Sequence, residues 1–143
     1  MGQRWTFKTV DQLNSFIDYT KDRLALGKPF TVDIREAEMS VAQNQMQFAL
    51  YRDIAAQRED MSQSDVRAHA KLHFGVGILK AADPEFGEWY DKHVKGMSYP
   101  AKLAMMEYMD ITSQEAFRKP QMQQFLDEII RYWSSQGVAL ALP

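Results

Sequence analysis

Residues 29–57 read PFTVDIREAEMSVAQNQMQFALYRDIAAQ, and two different periods meet inside that stretch. From Pro29 to Arg35, Phe30, Val32 and Ile34 alternate with other residues, a period of two that predicts a strand with one apolar face. From Ser40 the pattern changes. Ser40 and Gln43 have the spacing of a capping box, in which a hydroxyl and an amide each take a backbone N–H that the helix start leaves over. The helix so opened is expected to run to Gln57 and to bury Val41, Phe48, Tyr51 and Ala55.

Working outward, Trp5, Phe7 and Thr9 alternate with Arg4, Thr6 and Lys8, which predicts another short strand. Leu13, Phe16, Ile17, Thr20 and Leu24 then fall at helical spacing, and Gly27 is placed to end that helix. Beyond Gln57, a helix is expected from Ser64 to Phe74, broken by Gly75 and Gly77. Asp83-Pro84 starts the next, carrying Phe86, Trp89, Tyr90 and Val94, because proline costs nothing at a first helical position. Ser98-Tyr99-Pro100 starts another, with Leu103, Met106 and Met109, and Pro120 opens a last helix through Phe125, Ile129, Ile130 and Trp133. Gly137 ends it, and Val138 to Leu142 is read as an edge strand. The expected class is α+β, a helix-dominated single domain over residues 1–143 with a small sheet.

Composition removes several function classes. The chain has no cysteine, which excludes disulfides, zinc–cysteine sites and cysteine nucleophiles. No apolar run reaches the roughly 18 residues of a membrane span, and the first ten residues lack a secretory apolar core. A soluble protein of the cytoplasm is expected. The net charge of −2 argues against a broad basic surface, so any contact with nucleic acid must be local or pooled between subunits.

Motifs for chemistry are few. No phosphate loop, dinucleotide-binding glycine pattern or nucleophile elbow is present. His69 and His73 are four apart on an expected helix, with Asp65 one turn upstream, but the third ligand of a metal site is missing. Asp33, Glu36 and Glu38, and separately Asp53, Glu59 and Asp60, have no recognised nuclease spacing and read as solvated charge. Met97, Met105, Met106 and Met109 read as core packing at helical spacing. Small basic groups remain: Lys92, Lys95 and Lys102 in an acid-free stretch, Arg118 and Lys119 before the last helix, and Arg35 after the second strand. Tyr90, Tyr99 and Phe117 lie near them as candidate stacking faces for unpaired bases.

The stretch from Val32 to Gln57 resembles the NinB (Orf) family of phage recombination accessory proteins. In that family a strand leads through a polar turn into a helix opening Arg-Ser-x-x-Gln-Asn, with an aromatic residue four positions after the asparagine and a later Asp-Ile or Asp-Val pair. Ser40, Gln43, Asn44, Phe48, Asp53 and Ile54 fit that pattern in register. The chain departs from it at Met39, Ala42 and Gln45, where the family has arginine, an acid and commonly a basic residue.

The resemblance implies a homodimer that binds single-stranded DNA and cooperates with the single-strand-binding protein of the bacterial host cell to load a recombinase. It implies no enzymatic activity, cofactor or metal. Arg35, Gln43, Asn44, Arg118 and Lys119 are the expected nucleic-acid-binding residues, because they flank expected helix N-termini, where backbone donors favour phosphate. Lys95 and Lys102 are second-rank candidates. Two other classes stay open. One is a metal-dependent phage nuclease using His69 and His73; the other is an adaptor that binds the single-strand-binding protein and not DNA.

Overall fold

The computed structural model describes residues 5–34 and 37–140. Among them there are eight helical elements and no strand: α1 (Val10–Ala25), α2 (Val41–Gln57), α3 (Gln63–Ala70), a π turn (Lys71–Gly75), α4 (Val76–Ala82), α5 (Pro84–His93), α6 (Tyr99–Met106) and α7 (Lys119–Ser135). The expected α+β class is therefore corrected to all-α. The only strand-like pairing among the described residues is an isolated antiparallel bridge between Glu38 and Arg118. Alternation marks a chain that can extend, but a strand exists only through a paired neighbour, and a lone pair of short strands is marginal in water. Residues 5–9 and 29–34 find no such neighbour. Of the edge strand expected at 138–142, residues 138–140 are not a strand and the remainder lies outside the described residues, as does Arg35.

The fold divides into two units, residues 1–37 and 38–143. In the first, Thr9 caps α1 by accepting the Gln12 N–H, and Gly27 at φ +72° ends it as the sequence predicts. Trp5 and Phe7 pack on Phe16, and Trp5 also on Tyr19, with ring centroids 5.1–5.4 Å apart. No residue of α1 is buried.

The second unit holds the core. Its starts follow the sequence signals: the Ser40–Gln43 capping box at α2, an Asp83 cap before Pro84 at α5, and Ser98 accepting from Ala101 at α6. α2 packs on α3 and α7, α7 reaches α4 and the π turn, and α5 covers α4. Ile54, Val66, Met106, Phe117, Met122 and Phe125 are wholly buried at the centre. Met97, Met105 and Met109 pack on that core from its edge, so the methionines fill gaps between helices.

Two expectations about faces change. The buried side of α2 is Gln43, Gln47, Leu50, Tyr51 and Ile54, while Val41 and Phe48 stay exposed at 72% and 44%. The glutamines occupy that stripe because they have partners inside. The Tyr51 hydroxyl donates to Gln47 Oε1 at 2.7 Å, and the Thr112 hydroxyl reaches the same oxygen at 3.3 Å. Burial pushes the Tyr51 phenol up, against the opposing charge of Arg67.

The second change is at Gly75 and Gly77, where the helix continues through a π turn to Ala82. A Cβ on Gly75 would lie 3.1 Å from Thr112 and 3.3 Å from Ile111, so this glycine permits a close crossing inside the helix. The π turn also carries Lys71 into the interior, 1% exposed, where its ammonium donates to the Met106 and Met109 carbonyls at 3.0 and 2.8 Å. That lysine satisfies the Met106 carbonyl, which the last turn of α6 leaves over, together with the Met109 carbonyl three residues beyond the helix.

Candidate nucleic-acid interface

The N-termini of α2 and α7 meet. The Glu38–Arg118 bridge joins the segments that lead into the two helices, and Arg118 Nη1 lies 3.4 Å from the Glu38 carboxylate. Gln43 completes the junction. Its Oε1 accepts the Ser40 N–H at 2.9 Å, and its Nε2 donates to the Lys119 carbonyl at 3.1 Å, 76 positions along the chain. Gln121 mirrors this at α7, accepting the Arg118 N–H at 3.0 Å. Gln43, Asn44, Arg118 and Lys119 are thus brought to one end of the α2–α7 pair.

Their roles divide by exposure and partners. Gln43 is 8% exposed and both ends of its amide are engaged, so it positions the two helix starts against each other. Asn44 is half-buried and its Oδ1 accepts from Gln47 at 3.3 Å. Arg118 is partly covered and paired with Glu38. Lys119 is exposed and has no acidic partner within ion-pair distance among the described residues.

The field at this end favours an anion. Neither α2 nor α7 carries an acid in its first turn, whereas α1, α3 and α5 carry Asp11, Asp65 and Glu85 there. Two seventeen-residue helices therefore present positive ends with no acid in their own first turns, and the carboxylate nearby, Glu38, is paired with Arg118. The Val41 and Ala42 N–H groups have no acceptor within their own helix. Farther along α7, Asp127 and Glu128 outnumber Arg131 in a shallow hollow, so the anion-friendly region is confined to the helix start.

Replacing Gln43 with alanine should cost about 1–3 kcal/mol, because half of a capping box and a tie between helices go together. Urea unfolding with Gln43→Glu as companion checks the assignment: glutamate keeps the acceptor for Ser40 but loses the donor and turns a carboxylate oxygen toward the Lys119 carbonyl, so it too should destabilise. An alanine variant as stable as the parent would remove Gln43 from this role.

The other nominated residues lie elsewhere. Lys95 follows α5 and is exposed, and Lys102 lies half-buried on α6, which packs on α3 and the π turn. Phe117 and Tyr90 are core residues at 0% and 5% exposure, so they offer no face to a base; Tyr99, at 49%, does.

His69 and His73 do come together, but as stacked rings with centroids 4.1 Å apart and 24° between planes, not as a chelating pair. His73 Nε2 is hydrogen-bonded to the Tyr99 hydroxyl at 2.8 Å. No group of three metal-ligating side chains occurs among the described residues. Burial, with His73 and Arg58 nearby, pulls the His69 pKa down to about 4, and burial lowers His73 as well.

No described helix is long and apolar enough to cross a membrane. Comparison of the chain with protein-family models, curated proteins and solved structures finds no match.

Proposed function

We propose that this chain is a recombination accessory protein that binds single-stranded DNA as a homodimer and assists recombinase loading together with the single-strand-binding protein. The observation that carries the reading is the junction of the α2 and α7 starts. Asn44, Arg118 and Lys119, from two distant stretches, share a site where neither helix has an acid in its first turn and the neighbouring Glu38 carboxylate is paired with Arg118. Phosphate is the ligand such an end suits, through backbone donors and the helix dipoles. The dimer is part of the reading because two copies would pool cations that one acidic chain holds sparsely. The reading assigns no catalytic residue and needs no cofactor or metal.

Anisotropy titration of a labelled single strand over a salt series tests this. Affinity should fall with salt, by a log–log slope of about 0.7 for each phosphate contact. Lys119→Glu should weaken binding on every sequence and flatten that slope by about 0.7. Absence of binding at low salt would sink direct DNA recognition, and magnesium-dependent shortening of the strand would make the protein a nuclease instead.

One observation favours the adaptor as a second reading. On α1, Leu13, Ile17 and Leu24 remain 41%, 39% and 58% exposed, an apolar stripe of the kind a protein partner covers. That reading expects capture of the single-strand-binding protein with no affinity for a bare oligonucleotide.

A further inference from the structure

Four rings from separate parts of the second unit form a continuous row. Tyr132 of α7 lies 5.3 Å from His69 of α3, His69 stacks on His73 of the π turn at 4.1 Å, and His73 lies 5.7 Å from Tyr99 of α6. The row is open at one end: Tyr99 is 49% exposed and His73 is exposed beside it. It is also held in place. Lys71 ties the π turn to the end of α6, and the Tyr99 hydroxyl bonds His73 Nε2. π turns are rare and recur at functional sites, and this one supplies the row's central ring.

Two further features distinguish the row from ordinary packing. At its inner end, the buried Trp133 Nε1 and His69 Nδ1 have no hydrogen-bond partner, and the Trp133 and His69 rings are 5.3 Å apart. His69, whose pKa burial pulls down to about 4, is uncharged near neutrality, and the pKa of His73 is lowered as well. An uncharged aromatic row suits a flat π-system better than it suits phosphate.

We infer that Tyr99 and His73, the open end of the row, form a stacking platform for unpaired nucleobases that His69 and Tyr132 back from behind, separate from the phosphate-favouring junction at the start of α7. This rests on the single-stranded-DNA reading and adds what that reading lacks, a requirement for bases. Stacking on aromatic side chains tolerates any sequence, because every base has a π face.

The decisive comparison is between an oligothymidine strand and an abasic strand of equal length, which carry the same phosphates. The protein should bind the first about tenfold more tightly or better. His73→Ala with Tyr99→Ala should abolish that preference while leaving affinity for the abasic strand unchanged. Tyr99→Phe, which keeps the ring, should retain the preference and thereby separates stacking from disturbed folding. Lys119→Glu should weaken both strands alike. Equal affinity of the wild type for the two strands would overturn the platform and leave DNA binding intact, whereas binding to neither would overturn both. Nickel or zinc binding lost with His73→Ala, without base preference, would reassign the row to a metal.

Discussion

Lys71→Ala is expected to destabilise the helical unit by about 3–5 kcal/mol, as measured by urea unfolding. The substitution empties the space of a long side chain that is 1% exposed, and it strips the Met106 and Met109 carbonyls of their shared donor. Lys71→Met restores most of the volume but no donor, so it should lose less, about 2–3 kcal/mol. The pH dependence has an unusual direction. Burial, with Arg67 nearby, lowers the Lys71 pKa from 10.5 to about 8, although Asp110 pulls the other way. Between those values the unfolded chain holds a proton that the folded chain has released, so raising the pH favours the folded state through this group. The neutral amine still has two N–H donors for two carbonyls, which is why its deprotonation breaks nothing. The stability gap between wild type and Lys71→Met should therefore widen from about pH 7 to about pH 10. A gap that narrows would mean that the carbonyls hold the ammonium charged.

Trp133→Ala should have a similarly large effect, about 3–5 kcal/mol, with a fall in thermal midpoint of more than about 10 °C. The indole is 2% exposed, meets Tyr132 edge-on at 5.0 Å and lies under the Arg58 guanidinium at 5.3 Å. Trp133→Phe should be far milder, under about 1.5 kcal/mol, because it keeps an aromatic ring in place. Within the protein Nε1 has no hydrogen-bond partner, so the phenylalanine variant breaks no protein–protein hydrogen bond. Calorimetry of the two variants separates these expectations. A phenylalanine variant as unstable as the alanine one would show that the N–H is engaged in solution.

The two residues differ in how far they can be read from the sequence. Trp133 stands out as an apolar residue at helical spacing. Lys71 does not, because nothing local says that a lysine points inward; its acceptors are 35 and 38 positions away. Gln43 and Gln47 are intermediate. They extend the stripe of Leu50, Tyr51 and Ile54 at helical spacing, and that continuity is a legible signal once polar residues are allowed a buried face. Phe48 illustrates the converse. Its ring lies beneath the Arg67 guanidinium at 5.3 Å on a half-open surface, although its apolar character points to the core.

By itself the sequence determined several helix starts and stops, though not the break expected at Gly75 and Gly77. Ser40, Asp83, Ser98 and Pro120 open helices and Gly27 and Gly137 close them, because capping and backbone freedom are settled within a few residues. It also nominated Gln43, Asn44, Arg118 and Lys119 separately. Only the tertiary structure decided that these meet, that Gln43 is consumed in joining α2 to α7, and that His69 and His73 stack between two tyrosines. It likewise decided that alternating segments do not become strands and that glycine at 75 continues a helix. Pairing, close crossing and burial each depend on a partner far along the chain, and no local pattern specifies that partner.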